Sequence, residues 1–208
     1  PYNYSYSSIV NNGKITSNSG NKSIGIFANN NDPNGYLYMT LNGSSDINLG
    51  SSIGGIGIYA YKSDVYAANS GKITVGEKGT GIYAKDSTLN LDNLEMNLTG
   101  DKAVGFYLDG TTDFTGTGNV NIDGKGIIVF NVVGTGTFNQ NFNISSTADS
   151  SYTFQNLKNN TSYYNSTASL GQGGVFISGL NSAVLLDTNS KLISINSGLV
   201  ALALDGAY

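Results

Sequence analysis

The sequence predicts an all-β chain wound as a right-handed parallel β-helix, a solenoid with coils of about 24 residues. Three observations predict it: a four-residue phrase that recurs at near-constant intervals, alternating apolar runs between its copies, and turn residues between those runs. The phrase is clearest as Gly57-Ile58-Tyr59-Ala60 and Gly81-Ile82-Tyr83-Ala84. It recurs as Gly25-Ile26-Phe27-Ala28 and Gly105-Phe106-Tyr107-Leu108, and more weakly at Gly126, Gly174 and Gly198. The glycines are 32, 24, 24, 21, 48 and 24 residues apart. The long step is two of 24, and the missing copy falls on Ser150-Ser151-Tyr152-Thr153, which keeps an aromatic residue and loses the glycine. A fixed period in the range of about 20–50 residues marks a repeat architecture, whose units bury their apolar faces only against their neighbours.

Lys72-Ile73-Thr74-Val75, Leu89-Asn90-Leu91, Glu95-Met96-Asn97-Leu98 and Asn119-Val120-Asn121-Ile122 alternate polar with apolar residues. Successive side chains of a strand point to opposite faces, so these runs have one buried and one wet face. Gly, Asn, Asp and Ser between them tolerate the backbone angles of tight turns. Three short strands and three turns fill one coil. Crossovers between parallel strands are overwhelmingly right-handed, hence the expected hand. With strands about 4.8 Å apart, eight coils would make a rod of roughly 40 Å.

In chain order, residues 1–22 form a partial coil, because Gly13-Lys14-Ile15-Thr16 matches Gly71-Lys72-Ile73-Thr74. The coil from Gly25 to Gly57 carries about eight extra residues, assigned to a turn-rich insertion near 29–38 that includes Pro33 and Gly35. Residues 57–105 are the most regular. The stretch 144–170 departs most from the pattern and is expected to be a protruding loop or distorted coil. The unbroken period argues for a single domain over 1–208. The chain opens on Pro1 without a starting Met or signal peptide, and is read as a segment of a longer polypeptide.

Composition narrows the function. Charged residues are 12% of the chain, Gly accounts for 28 of 208 residues, and Asn is about as frequent. All ten cationic residues are Lys, His is absent, and the net charge is −4. No basic stripe is available to neutralise phosphates, so nucleic acid is not an expected partner. Without Cys there are no disulfides or thiolate metal sites. Without His a Ser–His or Cys–His nucleophile is excluded. No apolar run approaches the roughly 18 residues of a membrane span. No cofactor or metal site is expected; Asn119-Val120-Asn121-Ile122-Asp123-Gly124 resembles a calcium-binding glycine/aspartate repeat but occurs once.

If Ile56, Ile58 and Ala60 face inward, Gly57 and Tyr59 face outward. Across the copies the outward slot then reads Phe27, Tyr59, Tyr83, Tyr107, Ile128, Tyr152, Phe176, Val200. Its aromatic members form either a stabilising ladder of like side chains or a binding strip for sugars or a partner protein. A second candidate contact region comprises Tyr36 and Tyr38 of the first insertion with Tyr163 and Tyr164 of the second. Among the carboxylates only Asp109, Asp113 and Asp123 cluster in sequence. Such a pair could act as acid and base on a polysaccharide, but Asp-Gly pairs are also ordinary turns.

The Gly-Ile-Tyr-Ala phrase, preceded by Gly-Lys-Ile-Thr-Val and followed by Ser87-Thr88-Leu89-Asn90-Leu91, resembles autotransporter passenger domains. It is most similar to the large fusobacterial type V outer-membrane adhesins. The resemblance runs from Gly13 to Ala203 apart from 144–170. It implies a β-helical stalk exported through the outer membrane to the bacterial cell surface, where it adheres to a protein or glycan of host or bacterial cells. The family supplies no catalytic motif to transfer. Three readings stand: an adhesin segment without enzymatic activity, a structural spacer presenting a distal binding domain, and a polysaccharide-active β-helix enzyme.

Overall fold

The computed structural model describes the backbone of residues 5–32, 35–67, 71–147 and 150–158, and of strands at 161–164, 167–170, 174–180, 183–186, 191–194 and 200–205, with side chains as far as Gln155. The described backbone is strand and turn without helix, and the strands stack in parallel, coil upon coil, as a β-solenoid. Among the described residues no helix is long and apolar enough to cross a membrane.

One coil shows how the sequence makes the shape. Asp64–Ala67 and Lys72–Val75 lie on one large sheet, and Thr80–Lys85 lies on a second. Val65 and Ala67, Ile73 and Val75, and Ile82 and Ala84 point inward and are buried. The next coil repeats this with Thr88–Leu98, which spans both halves of the large sheet, and Val104–Asp109. The pairing is in register over the whole coil: Lys72 on Glu95, Ile82 on Phe106, Tyr83 on Tyr107. Inward apolar side chains thus stack on apolar side chains 23 or 24 residues away in these coils, and one apolar core runs along the axis.

The corners rely on single residues in the left-handed backbone region. At one corner Lys22, Gly54, Lys78, Lys102 and Gly126 have φ between 55° and 67°. Each of the first four donates its N–H to a carbonyl of the adjacent coil, as Lys78 does to Asp101 at 2.9 Å. At a second corner Lys62 and Asp86, with φ near 50°, are followed by Gly110.

The glycine of the phrase faces inward, contrary to the outward placement expected from simple alternation. A Cβ on Gly57 would lie 2.7 Å from Ile73 Cγ2 and 2.5 Å from the Gly81 carbonyl oxygen. Ladder pairing passes over this residue, so Gly57 and Ile58 both face the interior and Ile56 faces out. Glycine is required there for space, not for its dihedral range.

The eight extra residues of the first full coil divide in two. Asn29 and Tyr38 are nine apart, whereas their partners Tyr61 and Asp64 are three apart, which places six extra residues between them. Leu49 and Ile56 are seven apart against five for Val75 and Thr80, which places the other two. Only part of the expected insertion is loop: Gly35–Leu41 is a strand paired with Ser5–Asn11, while residues 33 and 34 lie outside the described residues. For 144–170, expected to be a protruding loop or a distorted coil, the described residues are mostly strand. Phe138–Ser146 and Tyr152–Lys158 extend the two large sheets, whereas Thr161–Tyr164 and Thr167–Leu170 pair with Ala183–Leu186 and Lys191–Ser194 in separate two-stranded sheets. Up to residue 155, Phe142, Ile144, Tyr152 and Phe154 fill inward positions together with the buried polar residues Gln140 and Gln155.

Candidate functional site

The sheet built from the phrase carries a ladder of rings on its outer face. Phe27 and Tyr59 stack with centroids 5.0 Å apart and planes 12° from parallel. Tyr59 and Tyr83 follow at 5.1 Å and 4°, and Tyr83 and Tyr107 at 5.2 Å and 20°. The three tyrosines are half-buried, and Phe27 is 55% exposed at one end. Because the rings stack along the rod axis, their flat faces meet one another. Edges and hydroxyls face outward.

The ladder stops at Tyr107. Its partner on the following coil is Asn131, and further coils place Asn156, Ser178 and Ala203 in that slot. Tyr152 and Phe176 therefore do not belong to the strip. Tyr152 pairs with Ile127 and is 3% exposed, and Phe176 falls one residue before Ile177, in register with Phe154. Ile128 and Val200 fall in another lane. For Ile128 the cause is Gly126, which occupies a left-handed corner like Lys102 and not the inward glycine position, held in that coil by Val129.

The lane they join was not recognised from the sequence. Ile24, Ile56, Thr80, Val104, Ile128, Thr153, Val175 and Val200 are in register one above another, three residues before the ring slot. All are β-branched. On the first four described coils the outer face is two side chains wide: Ile24 with Phe27, Ile56 with Tyr59, Thr80 with Tyr83, Val104 with Tyr107. The residue just before the glycine in the first four copies of the phrase would have revealed it.

On the far side of the ring lane lie Asn29, Tyr61, Lys85 and Asp109. The Lys85 ammonium is 3.2 Å from Asp109, and the Tyr83 hydroxyl donates to the same carboxylate oxygen at 3.2 Å. Burial, assisted by the adjacent Asp109 charge, pushes the Tyr83 phenol up to about 12. Burial works to raise the Asp109 carboxyl too, but the Gly110 N–H, Lys85 and Tyr83 outweigh it and hold it below its usual value. The Lys62 ammonium stands 5.2 Å from the Tyr61 ring centroid.

Tyr36 and Tyr38 are on a strand, not a loop. They join a second group of rings on the large sheet: Tyr6–Tyr36 at 5.4 Å, Tyr36–Tyr38 at 6.3 Å and Tyr38–Tyr66 at 6.2 Å. Desolvation, then the charge of Asp64, raises the Tyr38 phenol. Tyr163 and Tyr164 lie on the strand Thr161–Tyr164, paired with Leu185 and Leu186, and their side chains lie outside the described residues.

The outer face around Lys72–Val75 and Glu95–Leu98 is polar. Asn97 donates to Glu95 at 3.0 Å and to Thr74 at 3.3 Å, and Asn121 donates to Asn97 at 2.8 Å. The Asn97 amide, with Lys72 3.0 Å away, lowers the Glu95 carboxyl. The three carboxylates that cluster in sequence are each engaged separately. Asp109 holds Lys85, Asp113 accepts from the Thr137 N–H and hydroxyl, and Asp123 accepts weakly from Thr147. The Thr137 hydrogen bonds lower the Asp113 carboxyl. Among the described residues no group of three acidic side chains could hold a metal ion.

No family model, no curated protein and no solved structure matches this chain.

Proposed function

We propose that this chain is a non-enzymatic adhesin segment, a β-solenoid stalk of the autotransporter passenger kind at the bacterial cell surface, contacting a protein or glycan of host or bacterial cells. The observation that carries the reading is the outward apolar strip from Ile24 and Phe27 to Val104 and Tyr107. Contiguous exposed apolar surface of this kind marks interaction sites. The resemblance of the repeated phrase to passenger domains supports the setting. The test is binding of the purified chain to epithelial cells and to other bacteria, with Tyr59→Ala/Tyr83→Ala as the variant. Adhesion that drops while the chain stays folded supports the strip as the contact.

The spacer reading has an observation of its own. Ring faces covered by neighbouring rings are what a stabilising ladder needs. Saturable adhesion absent from the folded native chain would favour the spacer.

A further inference from the structure

The chain has a net charge of −4, yet four of its ten cationic residues stand at one corner of the rod. Lys22, Lys78 and Lys102 hold the left-handed position on three coils, and Lys125 precedes it on a fourth. Each left-handed residue lies two positions before the β-branched lane, so the lysines border the apolar strip along its length. Lys78 is paired with Glu77 at 2.8 Å. No ion pair forms at Lys22, Lys102 or Lys125 among the described residues.

Where this rail meets the first two coils the surface opens into a cleft of about 520 Å³, floored by Ile24, Ile53 and Ile56 between Lys22 and Lys78. Ile24 and Ile53 are each 46% exposed, and Phe27, on the same strand as Ile24, continues the apolar surface. Leaving this much isoleucine in water is unfavourable by roughly 25 cal/mol per Å², so a partner that covers it gains that energy. Four lysines against Glu77 and Asp101 leave this corner with a net charge of +2, which selects an acidic partner. Asn21 adds one amide at the rim, but the floor itself is isoleucine, so an apolar protein segment fits it better than a hydroxyl-rich glycan.

We propose that this cleft, continued along the strip toward Val104 and Tyr107, docks an acidic, apolar segment of a partner protein: its apolar residues lie on Ile24, Ile53, Ile56 and Phe27, and its carboxylates face Lys22 and Lys102. Four rungs at about 4.8 Å give a track of about 15 Å. A contact of that size belongs with small transient interfaces. The assignment rests on the adhesive reading of the rod and names its contact.

The test uses the whole chain and a labelled synthetic amphipathic peptide, with Leu and Phe along one face and Glu along one margin, followed by fluorescence anisotropy. A twin peptide with Lys in place of Glu is the control. The acidic peptide binds at micromolar concentration and weakens as salt is raised, because exposed charges are screened. Lys22→Glu weakens it about fivefold, Ile24→Ser/Ile53→Ser abolishes it, and Lys72→Glu on the polar face leaves it unchanged. Melting curves confirm that each variant is folded. The proposal is overturned if the two peptides bind alike, if Ile24→Ser/Ile53→Ser binds as the native chain does, or if dodecanoate binds and neither peptide does. Cell adhesion is scored separately. A chain that takes the peptide but no cell sinks the adhesive reading alone, and one that adheres to cells but ignores the peptide sinks the docking site alone.

Discussion

The coils up to Tyr107 and those from Phe106 to Phe154 are both rich in aromatic rings, but they place them on opposite sides of the wall. In the first group the core is aliphatic and small, with Ala60, Ala84, Val65 and Ile82, while Phe27, Tyr59, Tyr83 and Tyr107 stack outside. In the second, Phe106, Phe114, Phe130, Phe138, Phe142 and Phe154 pack inside, and Asn131 takes the outer slot. The exchange happens within one strand, where Phe106 points in and its neighbour Tyr107 points out. Space for the inner rings comes from the strand Asp113–Ile122. A Cβ on Gly116 would lie 2.9 Å from both Phe114 Cζ and Phe142 Cε2. The corresponding residue of the preceding coil is Leu91. A solenoid coil therefore tolerates large rings inside only where a facing position is emptied, and the same residue class serves packing in one region and surface in the other.

The sharpest way to break this comparison is to remove one ring from each region. Phe130 lies 4.8 Å from Phe106, 5.1 Å from Phe138 and 5.4 Å from Phe154, and it is fully buried. Phe130→Ala should cost about 3–5 kcal/mol in urea unfolding. Tyr83→Ala, with two stacked neighbours and a half-exposed ring, should cost about 1–2 kcal/mol from two cross-strand pairs. Equal losses would show that the outer ladder is as structural as the core. A second cut goes through the inward glycine. Gly81→Ala places its Cβ 2.6 Å from the Gly105 carbonyl oxygen and 2.4 Å from Met96 Sδ, an overpacking worth about 1–3 kcal/mol. Gly13→Ala, with nothing within 4 Å, serves as the control and should leave the melting temperature in place.

The same two regions show what was legible in the sequence. The coil length, the strands and the ladder from Phe27 to Tyr107 were readable because each copy of the phrase has the same inward and outward residues. Past Tyr107 the reading slipped by two to four residues, since glycine does two unrelated jobs. Gly57 and Gly81 make room for a neighbouring side chain and carbonyl, whereas Gly126 supplies a left-handed corner that Lys78 and Lys102 fill elsewhere. Aligning on the glycine letter merged the two. Aligning on the buried pair Phe130 and Val132 restores the 24-residue step from Tyr107 to Asn131. The β-branched lane and the lysine rail were missed for a related reason. They lie outside the phrase and become a surface only when coils are stacked.

The corner lysines offer a gain where the other substitutions give losses. A side chain at positive φ is strained, and glycine relieves that strain at some cost in unfolded-state entropy. Lys102, at φ 60°, lies between Lys78 and Gly126 in the corner column. Lys102→Gly should stabilise the rod by about 0.5–1 kcal/mol, read as a higher urea midpoint. Lys125→Gly, one residue before the left-handed position, should show no such gain. A loss at Lys102 would mean that its aliphatic stem packs along the strip.

The smallest effect is a titration confined to the ring ladder, which separates its members from the inner phenylalanines by chemistry they lack. Tyr83 keeps its proton up to about 12, where an ordinary phenol ionises near 10. In the unfolded chain that restraint is gone, so the unfolded state loses the proton first as pH rises. The contribution of Tyr83 to stability is therefore complete below about pH 10, declines through the interval and is lost by about 12. Phenolate absorbance during alkaline titration should contain a late step that is lost in Tyr83→Phe. Asp109→Asn removes the charge that adds to burial, so this late step should move toward the ordinary phenol value while the Phe27–Tyr59 end of the ladder is untouched. An unchanged late step in Asp109→Asn would leave burial between Tyr59 and Tyr107 as its sole cause, and the ladder would then hold its central ring without help from the neighbouring lane.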